Sequence, residues 1–121
     1  MLLVLHWFRA FVWTLLLEQL AAGIVLRRAL PSVARRASVI TVVNLASHPA
    51  VWLIFPELCS GLGLSRPVTL LLSEGWAFGV EAWIYGLFLG KGQARLAVKA
   101  AVIANSVSLL LGWGLRGLGW V

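Results

Sequence analysis

Three of the four carboxylates in this chain lie inside segments that are otherwise almost wholly apolar. They are Glu18, Glu74 and Glu81, whereas Glu57 lies in a connector. An isolated ionised carboxylate in hydrocarbon costs several kcal/mol, or takes up a proton instead. Ionisable residues of this kind are rare in membrane segments, where they mark proton relays and ion pathways. They are therefore the first candidates for chemistry.

Two asparagines are predicted to form a polar layer with two of these carboxylates. Counted at about 1.5 Å per residue from the basic connectors, the following residues all lie roughly 10–14 Å deep: Glu18, Asn44, Glu81 and Asn105. Asn amides donate hydrogen bonds to carboxylates, so we predict two Glu–Asn pairs that face a bundle interior. The alternative is that the asparagines are only interhelical glue, worth about 0.6 kcal/mol each.

A second polar group is predicted nearer the other membrane face. Arg9, His48 and Glu74 lie about 17–26 Å from the same ends of their helices. Glu74 and Glu81 are seven residues apart and share a helix face. One interpretation is a polar track that leads through this outer group to the layer. The preferred interpretation is a salt bridge between Arg9 and Glu74 near the headgroups.

The composition predicts that membrane-spanning helices position these residues. The chain has 121 residues, of which 61% are hydrophobic and 12% charged, with a mean hydropathy of +0.96. Soluble domains average roughly 45–50% apolar and about 25% charged residues. We predict an all-α, four-helix transmembrane bundle that forms a single domain over 1–121, with spans at about 3–26, 37–56, 68–90 and 96–115. No length remains for a catalytic domain.

The positive charges of the chain are concentrated in two connectors. These residues are Arg27, Arg28, Arg35 and Arg36 in the first connector and Lys91, Arg95 and Lys99 around the third. The middle connector holds Glu57 and Arg66, which cancel. By the positive-inside rule the basic connectors are cytoplasmic, where they contact lipid headgroups, and both termini are on the outer side. The net charge of +6 is thereby explained without a nucleic-acid partner.

Tryptophan placement gives the same orientation independently. Four tryptophans fall at the helix ends opposite the basic connectors: Trp7, Trp52, Trp113 and Trp120. Tryptophan is enriched at membrane interfaces, so these residues are expected to form an aromatic belt. Both patterns therefore predict a multi-pass protein with the basic connectors on the cytoplasmic side and both termini on the outer side.

The two halves of the chain are similar to each other. Each has a Glu in its first helix, then a basic connector, then Asn-x-x-Ser in its second helix: Glu18, Asn44 and Ser47, and Glu81, Asn105 and Ser108. This pattern predicts a duplicated helical hairpin, about 3–56 and 68–115. Because each copy holds two spans, the copies would be related by an axis along the membrane normal.

Small residues and one proline mark sites of close packing or distortion. The small residues are Gly75 and Gly79 on the third predicted helix and Ala100, Ala104, Ser108 and Gly112 on the fourth. Such stripes bring helices together, either within the fold or against a partner. Pro49 removes a backbone hydrogen bond from the second helix and is expected to kink it near position 45.

No catalytic, metal-binding or phosphate-binding motif occurs in the sequence. A His/Cys cluster with metal spacing, a glycine-rich phosphate loop and a G-x-S-x-G elbow are all missing, so we predict no metal and no cofactor. The single cysteine, Cys59, excludes an internal disulfide. An intramembrane enzyme is therefore the weakest of three functional hypotheses.

Segments 44–52 (NLASHPAVW), 81–83 (EAW) and 104–108 (ANSVS) are similar to those of a group of small bacterial membrane proteins of uncharacterised activity. The resemblance implies an inner-membrane location and no particular activity. The preferred hypothesis is an accessory subunit of a larger membrane complex, because a four-helix unit has little interior volume. The alternative is an oligomer that moves protons, ions or a small solute through Glu18 and Glu81. The expected partners are membrane lipid and either other subunits or further copies of the chain.

Overall fold

The structure is a computed structural model that describes residues 1–119 of the chain, and every regular element in that range is helical. The elements are α1 (Leu2–Leu26), α2 (Val33–Pro49), a π-helical turn (Ala50–Ile54), α3 (Phe55–Gly61), α4 (Arg66–Leu89) and α5 (Ala94–Gly117). The predicted all-α class is confirmed, and the predicted spans differ from the observed bounds by at most five residues when α2, the π-helical turn and α3 are counted as one segment, Val33–Gly61. Trp120, which belongs to the predicted aromatic belt, lies outside the described residues.

Three helical segments are long and apolar enough to cross a membrane. They are Leu2–Leu26, Val33–Gly61, which combines α2, the π-helical turn and α3, and Ala94–Gly117. α4 has the necessary length at 24 residues, but Glu74 and Glu81 lower its hydropathy. The membrane character of the chain therefore rests on three helices, and a fourth span at α4 stays a prediction.

The four long helices pack as a ring in the order α1, α2, α4, α5. α1 contacts α2 and α5, and α4 contacts the same two neighbours. We call the end of the ring with connectors 27–32 and 90–93 the basic end, and the end with both chain termini the terminal end. The short connectors make successive helices antiparallel neighbours, as expected for a helical bundle.

The connector at the basic end is held by side-chain hydrogen bonds. Ser32 precedes α2 and its hydroxyl accepts the Arg35 backbone N–H at 3.3 Å, a typical N-cap. The Arg36 guanidinium donates to the Leu30 carbonyl at 2.7 Å. Arg36 is thus half-buried, and its guanidinium holds the connector in place, whereas the other basic residues at this end are exposed.

The apolar core fills the half of the ring near the basic end. Its largest members include Leu26, Ile40, Val43 and Tyr85, which are fully buried against a row of alanines on α5. Alanine leaves room for the close approach of neighbouring helices, which is how membrane helices gain packing energy. This core closes the basic half of the bundle beneath the polar layer.

The predicted small-residue stripes have different positions in the fold. Ala100 and Ala104 are 0% exposed and pack inside the ring. Gly75 and Gly79 are exposed, and a Cβ placed at either would meet no atom within 4 Å. The α5 stripe therefore builds the fold itself, whereas the α4 stripe is left on the outer surface of the ring.

Candidate functional site

Glu18 on α1 is enclosed at the centre of the ring by donors from two other helices. Asn44 on α2 donates its Nδ2–H to Glu18 Oε2 at 2.8 Å. Ser108 on α5 donates its hydroxyl to Glu18 Oε1 at 3.3 Å. Glu18 is only 1% exposed, so these bonds replace the solvation that its carboxyl loses.

Glu81 on α4 is enclosed by the same two residue types. Asn105 on α5 donates its Nδ2–H to Glu81 Oε2 in a short contact. Ser47 on α2 donates its hydroxyl to Glu81 Oε1 at 2.5 Å. Each Glu therefore takes an asparagine from its sequence-adjacent helix and a serine from the other pair of helices. The structure brings the four predicted layer residues together and adds two serines to them.

The helical spacing of Asn-x-x-Ser fixes these donors in position. Residues three apart share a helix face, so one helix presents both side chains inward. Asn44 also donates to the Ile40 carbonyl at 3.0 Å, and Asn105 donates to the Ala101 carbonyl at 2.9 Å. Because each amide is anchored one turn back on its own helix, its remaining N–H is directed at the carboxylate before any ligand binds.

A cavity of about 90 Å³ extends from this layer toward the terminal end. Its lining includes the carboxylates of Glu18, Glu74 and Glu81 and, farther out, the rings of Trp52 and Trp113. A cavity of this size accommodates several water molecules. Since the apolar core lies on the other side of the layer, the cavity ends at the two buried carboxylates.

Two buried polar atoms at the cavity wall have no hydrogen-bond partner among the described residues. They are Asn44 Oδ1 and His48 Nδ1. Asn44 is 0% exposed and His48 is 7% exposed. Buried polar groups are usually satisfied by protein or water, and an exception indicates a ligand, water or ion. Asn44 Oδ1 is purely an acceptor, so it favours a cation or a hydrogen-bond donor.

His48 packs among aromatic rings and is not part of a chain of hydrogen-bonded polar side chains. Its ring packs edge-on against Phe11 with centroids 5.1 Å apart and stacks on Trp52 at 6.1 Å. Trp7 stacks in turn on Phe11 at 5.5 Å. The ring faces of His48 are thereby covered, while its position at the cavity wall is retained.

Pro49 is followed at once by the π-helical turn Ala50–Ile54. Proline lacks an N–H, so the hydrogen bond that it removes is the one to the carbonyl near position 45, where the sequence predicts a kink. The irregular turn lies instead on the other side of the proline, at residues 50–54, while α2 is assigned as α-helix through Pro49. It lies between His48 and Trp52, both of which line the cavity.

The predicted outer polar group is rearranged in the structure. Glu74 and His48 line the same cavity, and Arg116 on α5 joins them there. Arg9 is exposed on α1 and is not among the described residues of the cavity wall. The guanidinium of Arg116 also lies 5.8 Å from the Trp52 ring centroid, a cation–π distance.

A wider groove of about 600 Å³ adjoins the mouth of the cavity at the terminal end. It shares Trp52, Glu74, Trp113 and Arg116 with the cavity and continues past Pro56 and Arg66 in the region of residues 56–70. Polar groups therefore line a continuous path from the terminal surface to Glu81. The order along that path is an arginine, a first carboxylate and then the buried pair.

Several polar residues near the layer and the cavity were not predicted from the sequence. Ser47 and Ser108 were noted in the repeat but not placed in the layer, although their spacing from the asparagines indicated the same helix face. Arg116 was missed because it lies near the end of α5, eleven residues beyond Asn105 in the polar layer. Tyr85, four residues after Glu81, is fully buried with an unpartnered hydroxyl among residues 1–119.

The described residues do not form a ready set of metal ligands. No group of three or more His, Cys, Asp or Glu side chains in residues 1–119 is arranged to hold a metal ion. His6 is exposed on α1, where its ring nitrogen Nδ1 lies 2.8 Å from the Leu2 carbonyl. The chain matches no protein-family model, and neither curated proteins nor solved structures include a significant match.

Proposed function

We propose that this chain is a four-span membrane protein that binds a proton or small monovalent cation at Glu18 and Glu81 and passes it across the membrane. One observation carries the proposal: a polar cavity open toward the terminal end stops at two buried carboxylates in front of an apolar core. A purely structural polar layer needs no such access path. The size of the cavity, about 90 Å³, favours a proton, water or small ion over a larger solute.

The arrangement of donors and acceptors favours a positively charged ligand. Glu18, Glu81 and Asn44 present carboxylate and amide oxygens toward the cavity, and these are the ligands of hard cations. Each carboxylate already receives two hydrogen bonds, which hold its oxygens in place. Release toward the basic end then requires the alanine-rich core to open. This division into an open half and a closed half is what alternating access needs.

We propose further that the two halves are copies related by an axis along the membrane normal. The crossed Glu–Asn–Ser bonds support this, because exchanging the halves reproduces the same set of partners. The sequence repeat also extends beyond those residues. Trp13 and Trp76 each lie five residues before a layer Glu, and Trp52 and Trp113 each lie eight residues after a layer Asn.

The proposed topology has the basic end in the cytoplasm of a bacterium and α4 as the fourth span. In a Cys59→Ala background, Arg66→Cys and Lys91→Cys place single thiols at the two ends of α4. A membrane-impermeant maleimide added to intact cells is expected to label position 66 and to spare position 91. Labelling of both in permeabilised cells is the control. Equal labelling in intact cells would rule out a spanning α4.

Flux through reconstituted protein tests the transport proposal directly. Proteoliposomes are loaded with a pH-sensitive dye, and a potassium diffusion potential is imposed with valinomycin. We expect proton entry above that of protein-free liposomes, or sodium entry with a sodium dye. Glu18→Gln and Glu81→Gln together are expected to abolish the excess, because glutamine keeps the shape but cannot exchange a proton.

Glu57→Gln is the matched control, since Glu57 is exposed on α3 and carries the same charge. It is expected to leave the flux unchanged. Wild-type flux of both ions equal to that of protein-free liposomes would refute the transport proposal. So would an unchanged flux in the double variant.

A second candidate function is that of a subunit in a larger assembly. The exposed Gly75 and Gly79 on α4 favour it, because a small-residue pair on a lipid-facing surface permits a second helix to approach closely. Native mass spectrometry of gently extracted protein separates the possibilities. Unlike partners in fixed ratio support the subunit, whereas copies of this chain alone support an oligomeric transporter.

A further inference from the structure

A groove of about 670 Å³ runs between α1 and α5 on the outer surface of the ring, away from the polar cavity. Its walls are formed by aliphatic side chains such as Leu20 and Ile24 of α1 and Val107 of α5. Leu20 and Ile24 are 68% and 65% exposed, so the groove is open sideways. Its volume lies within the range of about 300–1,000 Å³ that is usual for ligand pockets.

Three cations line the end of this groove near the basic end. They are Arg27, Arg28 and Lys99, and no carboxylate is among the described residues of its wall. No hydrogen bond or ion pair within residues 1–119 holds these three side chains, and all three are exposed. Arg36 differs, because its guanidinium is used to hold the first connector.

The length of the groove corresponds to one membrane leaflet. Leu17, the innermost α1 residue of the wall, lies ten residues before Arg27, which is about 15 Å along a helix. Leu111 lies twelve residues after Lys99, which is about 18 Å. Half of a hydrocarbon core is about 15 Å thick. A positively charged end therefore continues into an aliphatic trough as deep as an acyl chain reaches.

We propose that this groove is a specific site for one anionic phospholipid of the leaflet at the basic end. The phosphate lies among Arg27, Arg28 and Lys99, and an acyl chain lies along α1 and α5. Charge complementarity selects the occupant: an anionic phospholipid brings net negative charge to three cations, whereas a zwitterionic lipid places its own ammonium group beside its phosphate. The arginines suit a phosphate because each guanidinium can donate two parallel hydrogen bonds to its oxygens.

Binding of phosphatidylglycerol and phosphatidylcholine to the purified protein, measured by native mass spectrometry, tests the headgroup site. We expect tighter binding of the first phosphatidylglycerol. Arg27→Gln, Arg28→Gln and Lys99→Gln together are expected to weaken it on the order of 100-fold, since each cation near a membrane surface is worth about 1 kcal/mol and about 1.4 kcal/mol corresponds to a tenfold change. The control triple Arg35→Gln, Lys91→Gln and Arg95→Gln removes the same charge outside the groove and is expected to retain the preference.

A second pair of variants tests the acyl-chain part without changing charge. Ile24→Trp fills the trough, whereas Val102→Trp adds the same bulk at a similar depth on a lipid-facing position outside it. Only Ile24→Trp is expected to weaken phosphatidylglycerol binding. A phosphatidylglycerol with a photoreactive acyl chain is expected to crosslink to α1 and α5 of the wild-type protein.

Three results would overturn the lipid site. The first is equal binding of the two lipids by the wild-type protein. The second is an equal loss in the two charge triples, which would indicate only general surface attraction. The third is crosslinking spread evenly over all helices. None of these results bears on ion flux through Glu18 and Glu81, so this proposal and the transport proposal fail independently.

Discussion

The hydrogen bond from the Ser47 hydroxyl to the Glu81 carboxylate joins α2 to α4 and permits a quantitative test of the polar layer. The two oxygens are 2.5 Å apart, and neither residue is more than 2% exposed. Ser47→Ala and Glu81→Leu, made singly and together, form a double-mutant cycle, because leucine offers the hydroxyl no acceptor whereas glutamine would keep one. The cycle isolates the coupling between these two side chains from the other effects of each substitution.

The expected coupling follows from the burial and geometry of this contact. Hydrogen bonds to charged groups in soluble proteins contribute about 1.5–3 kcal/mol. Interhelical hydrogen bonds in membrane proteins average only about 0.6 kcal/mol and reach about 1.7, because the unfolded chain in a membrane also finds polar partners. Since this contact is short and fully enclosed, we expect a coupling near the upper limit, about 1–1.7 kcal/mol.

Unfolding in mixed micelles with increasing SDS, followed by tryptophan fluorescence and circular dichroism, measures the free energies for the cycle. Ser106→Ala with Glu81→Leu is the matched control. Ser106 is half-buried beside Asn105 but makes no hydrogen bond to Glu81 among the described residues. Its coupling to Glu81 is expected to stay within about 0.3–0.5 kcal/mol. Equal couplings in both cycles would refute the crossed bonding of the layer.

Three further predictions concern helix packing and one cation–π contact, and each is tested by thermal or SDS unfolding. Gly79→Leu is expected to change stability by less than about 0.5 kcal/mol, because a Cβ placed there meets no atom within 4 Å. A Cβ placed at Gly86 would lie 4.0 Å from the Ala97 Cβ on α5, so the larger side chain of Gly86→Leu is expected to cost about 1–3 kcal/mol. Equal effects would contradict the α4–α5 contact. Ala104→Leu overfills a position with 0% exposure and is also expected to cost about 1–3 kcal/mol, unlike the exposed Val102→Leu. Arg116→Gln removes a cation 5.8 Å from the Trp52 ring and is expected to lower the free energy of unfolding by about 0.5–1 kcal/mol. An unchanged free energy of unfolding would contradict this contact.

The helical segments and the depth of the polar residues were predictable from the sequence. Apolar runs of membrane length, separated by Arg-rich or glycine-containing connectors, predict helices whose ends the structure reproduces to within five residues. The rise of about 1.5 Å per residue then sets the axial position of each side chain. For this reason the prediction that Glu18, Asn44, Glu81 and Asn105 share one layer needed no tertiary structure.

Rotation of each helix about its axis was not predictable to the same degree. In soluble bundles an apolar stripe marks the inward face, but here leucine, isoleucine and valine occur on both the inner and the outer faces. Lipid is as apolar as the core, so hydrophobicity gives no preference between them. This is why sequence alone did not decide which small-residue stripe packs inside, or whether Arg9 or Arg116 accompanies Glu74.

The sequence by itself determined the helical class, the common depth of the polar layer and the charge difference between the two ends of the helix bundle. Only the tertiary structure decided the ring order, the crossed serine bonds, the π-helical turn after Pro49 and the cavity that ends at Glu81. The physical reason is that the depth of a side chain follows from its residue number within its own helix, and the charge of each connector is the sum over its residues. Neighbour identity and cavity shape depend on how four helices pack simultaneously, which no single segment encodes.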